Sequence, residues 1–319
     1  MDRSAVLDTK IRSVFAPCSL GQWPSPLEPH PGLARASGLQ TLWLKREDRS
    51  GGNKMRGLEF LLAGAPPRSV FVTIGGTGSS HCLATARASR QLGHRTGLAL
   101  FPQPETDASR RISDAISDTS PLVMRASSLV TLPWTVMRVW RAAHRLGAGT
   151  PRWIPGGGAD PRAVLGHLLA ALELGTQLDS PPDAIVVPLG TGGTAAGIAL
   201  GVAWLGWSTE VIAVRVAPRI VANRWRTLRL ARNAAALLRR SGIEFNVPRA
   251  AIRVRVVDAA GAGYGHPTPE GARARAIAAH HGVELEPTYG AKAFSIFLRR
   301  PDVNVQRAVF WHTFAWPRP

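Results

Sequence analysis

The chain has 319 residues, 45% hydrophobic and 19% charged, and its length suggests roughly two globular domains. No run reaches the roughly 18 to 20 apolar residues that cross a bilayer, no apolar stretch of a secretory signal follows the first basic residue, and Cys18 and Cys82 are too few for a disulfide framework or metal cluster. The net charge of +18 raises nucleic acid as a partner, but only four of the 39 basic residues are lysine, and the arginines are scattered singly or in pairs such as Arg110-Arg111 and Arg239-Arg240, so a solvated basic surface on a cytoplasmic enzyme is expected.

In chain order, the Pro-rich stretch from Pro24 to Pro31 reads as an extended arm, because proline fixes φ and removes hydrogen-bond donors. Short β-branched runs then alternate with amphipathic helical stretches, the pattern of a mostly parallel sheet covered by helices. Strands are predicted over 69–74, 96–101, 184–189, 211–216, 252–257 and 307–311. Helices are predicted to begin near Lys54, Ser79, Pro161, Gly193, Pro269 and Lys292, and one to span 222–240. In the Pro161 helix, Val164, Leu165, Leu168, Leu169 and Leu172 recur at three- and four-residue steps. Trp134, Trp140, Trp204 and Trp207 are read as core, and Cys82, beside His81, as buried packing. His266, His280 and His281 have no metal-ligand spacing, and no metal is assigned.

Three glycine-bearing motifs stand where strands or loops meet helices. Gly190-Thr191-Gly192-Gly193-Thr194 follows an apolar strand and opens a helix, where unpaired N–H groups and the helix dipole can hold a phosphate without a lysine. It lacks the Lys-Ser/Thr of a P-loop, and a plain strand-to-helix turn is the competing reading. Gly51-Gly52-Asn53-Lys54 places Lys54 in the first turn of a helix capped by Asn53, where the dipole and burial both favour a neutral, nucleophilic amine. An ordinary surface lysine competes with that reading. Gly75-Gly76-Thr77-Gly78-Ser79-Ser80-His81 offers N–H groups and hydroxyls suited to a carboxylate, or a simple helix cap.

The order Lys45-Arg46-Glu47-Asp48, Gly51-Gly52-Asn53-Lys54-Met55-Arg56, Ile74-Gly75-Gly76 through Ser79 and His81, Ile154 to Pro161, Gly190 to Thr194, Gly263 to Thr268, Glu286 to Tyr289 and Phe310 to Thr313 resembles the 1-aminocyclopropane-1-carboxylate deaminase/D-cysteine desulfhydrase family, among the fold type II pyridoxal 5'-phosphate (PLP) enzymes. The resemblance implies a two-domain α/β architecture, with residues 54–152 as a smaller insertion in a larger PLP-binding domain of residues 1–53 plus 153–319, and a homodimer. It implies Lys54 as the Schiff-base lysine and proton shuttle, and Gly190, Thr191, Gly192, Gly193 and Thr194 around the cofactor phosphate. Ser79, Ser80 and His81 would serve the substrate carboxylate, with Ser80 also beside the cofactor. Tyr289 would serve catalysis and substrate, Tyr264 the substrate, and Thr313 the ring nitrogen.

Departures from the family pattern matter equally. Ser80 replaces the usual Asn, Gly290 follows Tyr289 where deaminases have Glu and desulfhydrases Ser or Thr, and Phe314-Ala315 replaces a Gly-Gly ending. Thr313 stands where the deaminases have Leu. These residues point to a PLP-dependent lyase acting by α,β-elimination on a small, D-cysteine-like amino acid. The alternatives are a 1-aminocyclopropane-1-carboxylate deaminase and a PLP-binding homologue with little turnover.

Overall fold

The computed structural model describes residues 3–147, 149–299 and 305–316. Its strands in chain order are β1 (Leu27–Pro29), β2 (Thr41–Arg46), β3 (Val70–Gly76), β4 (Arg95–Phe101), β5 (Leu122–Arg125), β6 (Arg152–Trp153), β7 (Ala184–Leu189), β8 (Glu210–Arg215), β9 (Arg255–Asp258) and β10 (Arg307–His312). They form a six-stranded sheet of order β1-β2-β10-β7-β8-β9 and a four-stranded sheet of order β5-β4-β3-β6. Every pairing is parallel except β1 with β2. No described helix is long and apolar enough to cross a membrane.

All six predicted strands are present, within a few residues of their expected bounds. β7 is buried at every position, as a strand covered on both faces must be. Helix Gly193–Leu205, almost wholly apolar, runs beneath it and packs on helix Pro161–Gln177. Their contact leaves no room for side chains. A Cβ on Gly197 would stand 2.4 Å from that of His167, and one on Gly201 2.3 Å from that of Ala171.

The differences have local causes. The Pro-rich arm is strand β1 at the sheet edge, where proline costs no internal ladder bond, followed by helix Pro31–Ala36. β2 is a strand although it ends in Lys45-Arg46, because Lys45 is wholly buried and ion-paired with Glu173. Helices Arg3–Phe15, Asp107–Thr119 and Leu132–Ala143 also form. Trp134 is 68% exposed, which corrects its reading as core, whereas Trp204 is buried and stacks on Phe245 at 5.1 Å. Cys82 is fully buried, and burial raises its thiol to about 12.

A buried polar knot joins the arm, β2, the lysine-bearing helix Lys54–Leu61 and helix Pro161–Gln177. Arg56 donates to Glu47 at 2.9 and 3.0 Å and to Glu173 at 3.0 Å, while its guanidinium lies 3.7 Å from the Trp23 ring centroid. Lys45 donates to Glu173, to Gln177 Oε1 and to the Ser25 carbonyl. Burial still lowers the Lys45 pKa, outweighing the nearby carboxylates.

Removing one member of such a pair strands the other's charge in a poorly solvated interior. Arg56→Ala is expected to destabilise the fold by roughly 3–5 kcal/mol, read as a lower denaturant midpoint. Arg12→Ala, which breaks the exposed pair with Asp8, should leave that midpoint nearly unchanged.

Candidate active site

The carboxyl ends of β3, β7 and β10 open on one cavity of about 840 Å³. Such ends, where strand order reverses, are where parallel α/β sheets bind ligands. In the four-stranded sheet the order reverses at β3, which is flanked by β4 and β6. Each site residue predicted from sequence lines this cavity: Lys54, Ser79, Ser80, His81, Gly190, Thr191, Gly192, Gly193, Thr194, Tyr264, Tyr289 and Thr313.

Lys54 opens helix Lys54–Leu61 after two left-handed glycines, Gly51 (φ 90°) and Gly52 (φ 91°). Its Nζ donates to the Gly157 carbonyl at 3.1 Å. Burial lowers its pKa to about 8, so roughly a tenth of the amine is unprotonated at pH 7, far more than for a lysine in water. Asn53 does not cap the helix with its side chain, contrary to expectation. Its Nδ2 instead donates to Thr194 Oγ1 at 2.8 Å, and its backbone N–H donates to the Thr313 carbonyl at 2.9 Å. The residue before the amine thereby ties the lysine's helix to the glycine turn after β7 and to the chain after β10.

In that turn Gly192 has φ 95°, and Gly193, Thr194 and Ala195, whose N–H groups open the helix Gly193–Leu205, line the cavity. A Cβ on Gly190 or Gly193 would meet nothing nearer than Tyr289 at 3.5 Å or the Gly158 carbonyl at 3.7 Å, so it would take up cavity space rather than clash. The turn is a concavity lined by donors, which suits a compact anion. Thr194 Oγ1 also lies 3.4 Å from Nε2 of buried His167, whose pKa burial holds well below the usual histidine value.

At the end of β3, Ser79 caps helix Ser80–Gln91, its Oγ accepting the Cys82 N–H at 3.3 Å. His81 Nε2 lies 3.0 Å from Thr73 Oγ1, and its buried Nδ1 has no partner among the described residues. Burial, then the Lys54 charge, lowers the His81 pKa to about 3, so the ring is neutral. Tyr289 Oη donates to Tyr264 Oη at 2.9 Å, the rings in edge contact. These are both tyrosines of the chain. Burial raises each, Tyr264 to about 12.

Several supporting residues were not singled out from sequence. Glu286 accepts the N–H groups of Thr288, Tyr289 and Gly290 at 2.5 to 2.7 Å and fixes the Tyr289 backbone. Lys292, wholly buried, donates to the Ala260 and Gly263 carbonyls and holds the loop that carries Tyr264. The Glu286–Tyr289 spacing is a local capping signal open to sequence reading, whereas the Lys292 contacts and the Asn53–Thr194 and His167–Thr194 contacts join residues far apart in the chain. Phe314 packs on Trp316 at 5.0 Å and lines the cavity where the family ending has glycine.

Comparison with known proteins agrees with this geometry. The chain is 35% identical over 310 residues to nocardicin C-9' epimerase of Nocardia uniformis subsp. tsuyamanensis, covering 91% of this chain and 90% of that one. It is 30% identical over 285 residues to D-cysteine desulfhydrase of Klebsiella pneumoniae, covering 85% and 84%. The crystal structure of a 1-aminocyclopropane-1-carboxylate deaminase homologue superposes with a TM-score of 0.78 at 27% identity, over 95% of this chain and 94% of that one. The family model of pyridoxal-phosphate dependent enzymes matches residues 18–313, and the chain belongs to that family, with PLP as its cofactor.

Proposed function

We propose that the protein is a PLP-dependent lyase that removes a β-substituent from an amino acid of D-cysteine type, releasing keto acid and ammonia. The observation that carries the reading is the amine of Lys54, with its lowered pKa, in the same cavity as the Gly190–Thr194 turn, Ser79 and the tyrosine pair. The residues fit the cofactor: an amine for its aldehyde, and a concavity of N–H donors for its phosphate that a Cβ on Gly190 or Gly193 would fill.

When bound, PLP supplies an electron sink for charge developing at the α-carbon. Lys54 holds the cofactor and moves the α-proton. Ser79, Ser80 and the N–H groups at the start of their helix bind the substrate carboxylate, beside neutral His81. Tyr289, its hydroxyl bonded to Tyr264, delivers a proton to the departing atom. Thr313 would face the ring nitrogen. A hydroxyl there leaves the ring a weaker acceptor than a carboxylate would. Loss of a thiolate asks less of the acceptor than opening a cyclopropane, and Glu286, engaged by three backbone N–H groups, offers no substitute carboxylate. The elimination is therefore favoured over the deaminase reading.

A second reading, inversion at the α-carbon, draws on the 35% identity to a relative named as an epimerase. Residues 54–152 are further proposed as the smaller domain, since every strand of the four-stranded sheet lies between Val70 and Trp153. Helix Lys54–Leu61 itself packs on helix Pro161–Gln177. A cytoplasmic homodimer is proposed from the family resemblance.

The deciding assay is keto-acid release from D- and L-cysteine, β-chloroalanine and 1-aminocyclopropane-1-carboxylate. Sulfide and keto acid from D-cysteine, with none from the cyclopropane acid, are expected, and Lys54→Ala should abolish both products and the cofactor's visible absorbance. Release from the cyclopropane acid alone would select the deaminase. Deuterium uptake with inversion, and no keto acid, would select the epimerase.

The lowered amine pKa sets a pH signature. Only unprotonated amine attacks an aldehyde, so cofactor capture by the apoprotein should rise with pH and reach half its plateau near 8 rather than near 10.5. A half-point near 10.5 in stopped-flow reconstitution would place the amine in water.

Tyr289→Phe keeps the edge contact with Tyr264 and removes the hydroxyl. If that hydroxyl transfers a proton, turnover should fall by about 10²- to 10⁴-fold with the cofactor still bound. Unchanged steady-state kinetics would remove that role.

A further inference from the structure

The wall leading away from Lys54 bears on what the substrate carries beyond its reacting carbon. Ser80, Leu83, Ala84 and Arg87 stand at positions i, i+3, i+4 and i+7 along helix Ser80–Gln91, so they share a face, and all four line the cavity. Seven residues at 1.5 Å each put Arg87 about 10 Å along the helix from Ser80. A substituent on an amino acid gripped by its carboxylate at Ser79 and Ser80 has this face to run along towards Arg87.

Three observations say that this distance is usable space. The cavity, at about 840 Å³, has to hold the cofactor as well as the substrate, and lies in the upper part of the roughly 300–1,000 Å³ range of ligand pockets. Its walls between the two ends are apolar, with Leu83 and Ala84 on the helix and Leu129 and Ile220, 66% and 80% exposed, also lining it. Arg87 is partly buried, yet among the described residues its side chain makes no hydrogen bond or ion pair. Burial and the neighbouring Arg90 lower its pKa, the direction expected of a cation without a counter-ion.

We propose that the substrate's β-leaving group is a long S- or O-linked substituent with an apolar body and a terminal carboxylate, which pairs with Arg87. This rests on the elimination reading above. For a thioether, the α-proton is removed and the Cβ–S bond breaks with its electron pair on sulfur. The thiol leaves carrying a proton, and one water converts the remaining skeleton to keto acid and ammonium. Leu83 and Ala84 would cover the body of the substituent, and Arg87 would read its charge by a bidentate contact that a lysine reproduces only in part.

The test compares S-(4-carboxybenzyl)cysteine with S-benzylcysteine, each as both enantiomers, on the PLP-loaded enzyme. The carboxylate should raise kcat/KM for keto-acid release by about 10- to 100-fold, the worth of one charged hydrogen-bonded contact. Arg87→Met should abolish the difference between the two thioethers, and Arg87→Lys should retain part of it. Equal kcat/KM in the wild type, or a preference that survives Arg87→Met, would overturn the proposal. If neither thioether nor D-cysteine gives keto acid, the elimination reading fails by itself. The Arg87 contact is then read from Kd values, titrated through the cofactor absorbance: tighter binding of the carboxylated compound that is lost in Arg87→Met supports the contact, and equal Kd values end it.

Discussion

The structure turns on the placement of one amine. Lys54 can be nucleophilic only if its charge is disfavoured, and burial brings its pKa down to about 8. That burial has to be held in place, because an unrestrained lysine would turn its ammonium to water. The Gly157 carbonyl holds the nitrogen itself. Asn53 holds the turn from which the side chain springs, through one bond to Thr194 and another to the chain after β10. The same contacts fix the glycine turn relative to the amine, so a molecule with an aldehyde at one end and a phosphate at the other meets both at a set separation.

Below the lysine's helix, the Arg56–Glu47–Glu173–Lys45 knot gives it a rigid floor. Buried ion pairs of this kind add little net stability, because desolvation offsets most of their attraction. Their directionality is worth more. Arg56 meets its carboxylates in only a few orientations, and that limits rotation and sliding of the helix two residues from the reacting amine. The basicity of the chain has a related reading. Charges such as Arg219 at 80% exposure belong to the solvated surface, whereas Arg56 and Lys45 are structural.

What the sequence disclosed was mostly what is local. The turn after β7 was legible because a fully apolar strand, a glycine cluster and a helix lie within a few residues. Lys54 stood out because it follows two glycines and an asparagine at a helix start, although the role assigned to that asparagine was wrong. A cap is the local default for Asn53, and its true partner, Thr194, lies 141 residues away. β2 was hidden by Lys45 and Arg46, since a charged strand end reads as surface unless a distant carboxylate is known to meet it. Helix Leu132–Ala143 was hidden for the opposite reason: only Thr135, Val139 and Ala143 are buried, a narrow stripe that leaves Trp134 in water. The Tyr264–Tyr289 bond joins two loops, and no periodicity announces it.

The hydrogen bonds around the Thr194 hydroxyl decide what the glycine turn offers an anion. Its hydroxyl accepts from Asn53, and the nearby His167 ring is kept neutral by burial. A neutral imidazole carries one N–H, and the buried Nδ1 of His167 has no partner among the described residues. With the proton on Nε2, the ring donates to Thr194, both lone pairs of the hydroxyl are used, and its own proton is free to point into the glycine turn. With the proton on Nδ1, that N–H is buried without an acceptor, which is the costlier arrangement. The favoured tautomer therefore adds one more donor to a concavity already lined with N–H groups, without placing a formal charge in it. Such a site can grip a doubly charged phosphate while leaving the Lys54 amine uncommitted to it and free to meet the aldehyde.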